Sequence, residues 1–393
     1  MENVKENENG NDNKPVERWD DIGLHDSLLR GIYAYGFENP SDIQKKAIRP
    51  MITGRDIIAQ AQSGSGKTGT FAISALQMID VTKRTTQVLM LAPTHELAKQ
   101  ITRVVSDIGG CLEGLRVKTL IGGTSIREDV RDMDRNPPHI IVGCTGRVYD
   151  MLQKKYIIAS DLKLLVLDEA DEMLSQGFGA QIRDMFTYYF SEEIQVALFS
   201  ATMPPEMLNI TDRFMRNPTR IMVKKEDLSL QCIQQFYVAL LNDEVKYATL
   251  KDLFSVISAS KCIIYCNSVR RVIDLYEAMN RDGFSVCHIH SNMDKSVRAE
   301  VFNHFRTGDA RVLISSDITA RGIDIQQVST VINFDVPRSV HTYLHRIGRG
   351  GRWGRKGFAI NFVTKQDVGD IRRIETHYDI QIQELPANYT GRV

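Results

Sequence analysis

The chain has 393 residues, 42% of them hydrophobic and 25% charged, with 49 basic side chains against 49 acidic ones. That length asks for two domains rather than one core, and a formal charge of zero gives no global sign of a nucleic-acid partner, so any basic surface must be local. No run of 18 apolar residues occurs, the first residues are polar and acidic, and Cys111, Cys144, Cys232, Cys262, Cys266 and Cys287 include no Cys-x-x-Cys pair, so the sequence reads as an intracellular protein with reduced thiols, neither secreted nor membrane-spanning.

Residues 1–17 are rich in Asn, Glu and Lys and almost lack apolar groups, which predicts a disordered tail. Order should begin near Trp19, with a helix from Ser27 to Tyr35, a turn at Gly36 and a second helix started by Pro40-Ser41. Apolar runs rich in Val and Ile follow at 57–59, 88–91, 117–121, 140–142, 164–167 and 196–199, with helix-like segments between them. The charged stretch Lys224-Lys225-Glu226-Asp227 interrupts the rhythm, which restarts at 263–265, 286–289, 312–314, 331–334 and 359–363. Buried strands alternating with helices predict an α/β chain of two tandem domains, 18–223 and 232–393, joined by a linker at 224–231. Each would be a mostly parallel sheet flanked by helices, with ligands at the carboxyl ends of the strands and a cleft between the domains.

Chemistry concentrates at three strand ends. After the first run comes Ala61-Gln62-Ser63-Gly64-Ser65-Gly66-Lys67-Thr68, a phosphate-loop pattern with Ala where its first Gly is usual, preceding a helical run from Thr70. Small residues let main-chain N–H groups surround phosphate oxygens, Lys67 can reach terminal phosphates, and the Thr68 hydroxyl can bind Mg²⁺. After the fifth run comes Asp168-Glu169-Ala170-Asp171, whose carboxylates raise one another's pKa unless a cation is present. Taken alone, such a tetrad also reads as an acidic helix N-terminus. Beside a phosphate loop, Asp168 becomes a candidate Mg²⁺ ligand and Glu169 a candidate to orient or deprotonate the attacking water. Ser200-Ala201-Thr202 closes the sixth run, where its hydroxyls could bond Asp171 or simply cap a strand end.

From Trp19 to Pro386 these residues resemble the DEAD-box RNA helicases, a family named for the tetrad at 168–171. The resemblance implies two RecA-like domains. Gly36-Phe37, Pro40 and Ile43-Gln44 are similar to the family's Q motif, which implies that Phe37 stacks on adenine and Gln44 reads its edge, so that ATP is the nucleotide. Ser316-Asp317 and Ala320-Arg321-Gly322-Ile323-Asp324 resemble the fifth motif, and His345-Arg346-Ile347-Gly348-Arg349-Gly350-Gly351-Arg352 the sixth. By that likeness Asp324 contacts the ribose, Arg349 and Arg352 reach the γ-phosphate across the cleft, and His345 joins Asp171, Ser200 and Thr202 in coupling the domains. A guanidinium suits the finger role because its planar fork donates several hydrogen bonds and keeps its charge.

The same resemblance places RNA on Thr94, Gly123, Arg147, Arg298, Ser316 and Asp317. His95, Cys144, Thr145, Ser291, Asn292 and Lys295 depart from the family pattern along that path, which predicts a weaker or differently shaped grip. The function implied is RNA-dependent ATP hydrolysis with local opening of short duplexes, the nearest likeness being to the translation-initiation branch. The alternatives are an ATP-gated RNA clamp related to the exon-junction and ribosome-biogenesis branches, and a DNA-directed ATPase. Implied partners are single-stranded and short duplex RNA and a scaffold protein bridging both domains (initiation factor 4G-like). The protein would be a cytoplasmic monomer, or nuclear in the other branches.

Overall fold

In the computed structural model the described residues are 16–61, 65–175, 177–203, 205–222, 233–256, 261–317, 328–348 and 357–386. The predicted linker and most of the predicted tail lie outside them. Val16 and Glu17, grouped with the tail on composition, have defined places: Val16 is buried and Glu17 pairs with Lys45 at 3.0 Å.

The chain divides after Met222 into two compact units. In the first, the apolar runs form parallel strands β1 (Ile57–Gln60), β2 (Val88–Ala92), β3 (Val117–Leu120), β4 (Ile140–Cys144), β5 (Leu164–Asp168), β6 (Gln195–Ser200) and β7 (Thr219–Met222). They lie in the order β3-β4-β2-β5-β6-β1-β7. Because side chains alternate across a strand, Ile58, Leu89, Leu91, Leu165, Leu167 and Leu198 fill one face against Val148, Met151, Met173 and Ile182 from the helices. On the opposite face Phe199 meets Phe71 edge-on at 5.1 Å. Each such fully buried side chain contributes about 1.5–3 kcal/mol, so continuous apolar runs are what a sheet covered on both sides requires.

The second unit repeats the arrangement with β8 (Ile233–Ala239), β9 (Cys262–Tyr265), β10 (Val286–Ile289), β11 (Val312–Ser315), β12 (Thr330–Asn333), β13 (Gly357–Val363) and β14 (Gln383–Glu384). Their order is β10-β11-β9-β12-β13-β8-β14, the first unit's order advanced by one strand set. All the strand pairs in both sheets are parallel among the described residues. Cys262, Ile264, Ile314, Ile332 and Phe362 pack on Val272, Leu275 and Met279, while Ile263, Leu313 and Val331 pack on Phe305.

Two differences from the sequence pattern have simple causes. The helix after the phosphate loop begins at Lys67 rather than Thr70, because Gly66 takes a left-handed turn (φ 99°) that starts it three residues earlier. Strands β7, β8 and β14 are not apolar runs in the sequence: β8 has only Ile233 and Phe236 buried, with Gln234 and Gln235 between them, and β14 has two residues, both exposed. Among the described residues no helix is long and apolar enough to cross a membrane.

Candidate active site and nucleic-acid face

Strand order assembles the first site. β5, β6 and β1 are consecutive in the sheet, with Asp168 opposite Phe199 and Gln60 opposite Ser200. The tetrad, Ser200 and the loop that follows Ala61 therefore leave the same carboxyl edge on three adjacent strands, about 4.8 Å apart per strand.

Lys67, the first residue of helix Lys67–Met78, is buried and its Nζ donates to the Ala61 carbonyl at 2.8 Å. Asp168 is buried, and its pKa is raised to about 7, chiefly by loss of water, with Glu169 and Asp171 adding to the rise and Lys67 opposing it. A divalent cation relieves that kind of stress, so the carboxylate fits the Mg²⁺ role, with the half-buried Thr68 on the neighbouring helix turn. Glu169 is held in the left-handed region (φ 50°) and its N–H donates to Asp168 Oδ1 at 3.0 Å. A non-glycine residue there stores about 1–3 kcal/mol, a cost typical of functional sites. Asp171 accepts from the Thr202 hydroxyl at 2.6 Å and its N–H donates to Ser200 Oγ at 3.4 Å. Ser200 Oγ in turn donates to the Thr202 carbonyl at 2.6 Å.

Phe37 and Gln44 lie beside the same helix start. Gln44 Oε1 accepts from the Ser41 N–H at 2.7 Å, and Nε2 donates to the Gly66 carbonyl at 3.3 Å. The Ser41 hydroxyl donates to the Ser65 carbonyl at 2.9 Å. Trp19 stacks near Phe37 at 6.1 Å and donates from Nε1 to its carbonyl, while Tyr35 meets it edge-on at 4.9 Å. A methyl group on Gly66 or Gly69 would collide with Gln44, at 3.0 and 2.7 Å from Nε2. Both glycines keep open a cradle at this helix start. Ser63 and Gly64 lie outside the described residues.

The remaining first-unit residues gather at the carboxyl ends of β3, β4 and β2, also consecutive. Thr94 caps helix His95–Ile108, its hydroxyl accepting from the Leu97 N–H at 3.2 Å. Gly123 has φ 88°. Thr145 turns inward, donating to Met173 Sδ at 3.3 Å. Arg147 is tied to Asp129 and Thr124 rather than free on the surface.

In the second unit, Ser316 and Asp317 follow β11, and the loop at 290–294 follows the neighbouring β10. Arg298 Nε and His290 Nδ1 are buried without a hydrogen-bond partner among the described residues. His345 is buried in helix Val340–Ile347. Its neighbour Arg346, to which the sequence assigned no role, is fully buried: Nε donates to Asp317 Oδ1 at 2.6 Å, and Nη1 and Nη2 reach the Asp335 carbonyl and Asn267 Oδ1, both at 2.8 Å. Asp324, Arg349, Arg352 and the side chain of Lys295 lie outside the described residues.

A family model described as DEAD/DEAH box helicase matches residues 41–210, and one described as helicase conserved C-terminal domain matches residues 245–354. Eukaryotic initiation factor 4A of Cryptosporidium parvum is 51% identical over 375 residues, covering 95% of this chain and 92% of that one. ATP-dependent RNA helicase eIF4A of Chaetomium globosum is 49% identical over 389 residues, covering 99% and 97%. Among solved structures, S. cerevisiae Dbp5 bound to RNA and ADP BeF3 superimposes with a TM-score of 0.87 at 31% identity, covering 95% of this chain and 96% of that one. Mss116p bound to ssRNA and AMP-PNP gives 0.83 at 25% identity, covering 96% and 81%.

Proposed function

The chain belongs to the DEAD/DEAH box helicase family, and on that membership we propose that it is an ATP-dependent RNA helicase of translation initiation, which opens short duplexes as it hydrolyses ATP. The observation that carries this function is the convergence of Lys67, Asp168, Glu169 and the Gln44–Gly66 contact on adjoining elements at one sheet edge.

Phe37 and Gln44 would take the adenine. Main-chain N–H groups of Ser63, Gly64, Ser65 and Gly66, with the N-terminus of the helix behind them, would take the phosphates. Lys67 would exchange the Ala61 carbonyl for the terminal phosphates. Thr68 and Asp168 would hold Mg²⁺, which spreads the charge of the transferring phosphoryl group when bound. Glu169 would orient the attacking water. Asp324, Arg349 and Arg352 keep the ribose and γ-phosphate roles that the family likeness implies.

Thr94, Gly123, Arg147, Arg298, Ser316 and Asp317 would line the RNA path, gripping sugar and phosphate in a sequence-independent, salt-sensitive way. Asp171, Ser200, Thr202 and His345 would couple nucleotide state to that grip. The proposed organisation is an ATP-binding domain at 18–223, a linker at 224–231 and a second helicase domain at 232–393, in a cytoplasmic monomer that works with a 4G-like scaffold.

RNA-stimulated ATPase activity, measured on the wild type beside Lys67→Ala and Glu169→Gln, tests the function. Both variants should lose turnover; activity persisting in both would overturn the site assignment. Release of a strand from a short duplex separates unwinding from clamping.

A further inference from the structure

Arg147, one of the residues proposed to meet RNA, is held in a cluster of its own. Its side chain is 8% exposed, and Nη1 donates both to Asp129 Oδ2 at 2.8 Å and to Thr124 Oγ1 at 2.9 Å. Nη2 donates to the Thr124 carbonyl at 2.8 Å. Three of the five guanidinium protons are thereby engaged. Asp129, itself buried on helix Ile126–Arg135, takes Lys118 of β3 on its other oxygen at 3.2 Å, and Lys118 also pairs with Asp132 at 2.6 Å. Two cations face two carboxylates, so the cluster is electrically balanced. An arginine in that state releases few counterions from RNA, because its own charge is already compensated.

What the cluster does instead is mechanical. It fastens the 121–125 loop, with Gly123 at φ 88°, to the first turn of helix Thr145–Gln153, so the carboxyl ends of β3 and β4 present one fixed edge. We propose that Asp129 is a positioning residue for RNA: it holds Arg147 and Thr124, and through them the 122–124 backbone, in the shape that receives a sugar-phosphate chain. This rests on the RNA-helicase function above. Asp129 itself touches no nucleic acid.

Electrostatics and positioning make opposite predictions. Asp129→Asn removes a negative charge from the RNA face, which by charge alone strengthens binding. If Asp129 positions Arg147, binding weakens instead, since an amide replaces the acceptor of a charge-assisted bond; about tenfold is the expected scale. The measurement is ATPase activity against poly(U) concentration at fixed salt. Asp129→Asn should raise KM for poly(U) about tenfold, with the loss in KM rather than kcat. Thr124→Val, which removes only the bridging hydroxyl and preserves shape, should shift KM in the same direction by less. Asp129→Asn combined with Arg147→Met should be no worse than Arg147→Met alone, since both remove one interaction.

An unchanged or lowered KM in Asp129→Asn, or additive losses in the pair, would overturn the proposal. If Asp129→Asn does not fold, an unchanged KM in Thr124→Val does so. A wild type that poly(U) does not stimulate would remove the helicase function and this inference together. A stimulated wild type with unaffected variants would remove the inference alone.

Discussion

The buried Arg346 donates from Nε to Asp317 Oδ1 at 2.6 Å, joining helix Val340–Ile347 to the end of β11. Its other nitrogens reach Asn333 Oδ1 at 3.2 Å, the Asp335 carbonyl at 2.8 Å and Asn267 Oδ1 at 2.8 Å, and its guanidinium lies 5.2 Å from the centre of the Tyr265 ring. One side chain thus ties together the carboxyl ends of β9, β11 and β12. Asp317 is half-exposed, so its ion pair contributes little, and the buried amide and carbonyl partners carry the effect. Arg346→Ala should cost the second unit about 1–3 kcal/mol for each buried acceptor left without a donor, and Arg346→Lys less, because an ammonium satisfies one partner but not the fork. Calorimetry should show the transition of the second unit displaced downward; an unchanged thermogram would rule out the network as a support for Ser316 and Asp317.

The contrast between Arg346 and the acidic tetrad explains what the sequence made legible. Asp168, Glu169 and Asp171 are neighbours in the chain, next to a strand that is a continuous apolar run, so both the element and its chemistry can be read off consecutive letters. Arg346 sits in a readable motif, but its side-chain partners Asp317, Asn333 and Asn267 are 29, 13 and 79 residues away. Only the parallel sheet brings them together. Asp129 is hidden for the same reason: it looks like one more acid on a charged helix until β3 and β4 place Lys118 and Arg147 beside it. β8 is hidden because Gln234 and Gln235 separate its two buried residues, Ile233 and Phe236, so it shows neither a continuous apolar run nor an alternation of period two.

Thr202, just past the end of β6, bonds Asp171 of the tetrad, and both are buried. Thr202→Val conserves volume and removes the 2.6 Å bond, leaving a buried carboxylate oxygen short of a donor. A loss of about 1–3 kcal/mol in the first unit follows. Duplex opening should fall more than RNA-stimulated ATPase activity, because Lys67, Asp168 and Glu169 remain in place. Parallel ATPase and strand-displacement assays check this; equal losses in both would show that Asp171 serves the chemical step instead.

His139 carries a pH dependence. It is buried, and desolvation, with the charge of Arg116, lowers its pKa below the ordinary histidine value. The Arg116 N–H donates to Nδ1 at 3.1 Å and the Arg116 Nη2 lies 2.9 Å from Nε2, and two donors facing the ring favour its neutral form. The folded state therefore holds neutral histidine, whereas the unfolded chain takes up a proton below about pH 6.5. Unfolding binds protons in that window, so stability is complete above about pH 6.5 and declines as pH falls toward the depressed folded value, by at most about 1.4 kcal/mol per pH unit. His139→Gln keeps an acceptor and a donor but does not titrate, so its urea midpoint between pH 6.5 and 5 should be flatter than that of the wild type. Identical slopes would assign the acid sensitivity elsewhere.

Gly69→Ala separates stability from nucleotide binding. Gly69 lies within helix Lys67–Met78 and is absent from the positive-φ glycines, so alanine is favoured there by helix propensity, by about 1 kcal/mol. Its methyl group, however, would lie 2.7 Å from Gln44 Nε2 and 3.0 Å from Phe37 Cε2. Gln44 is held by the Ser41 N–H and the Gly66 carbonyl, and Phe37 by Trp19 and Tyr35, so neither can yield without leaving its partners. The variant should melt at or near the wild-type temperature yet bind ATP about tenfold more weakly, since displacement of a purine-reading amide forfeits a hydrogen bond of that order. Affinity for inorganic triphosphate, which lacks a base, should hardly change. If ATP and triphosphate weaken alike, the methyl group acts on the phosphate loop, and the adenine pocket is not formed by Phe37 and Gln44.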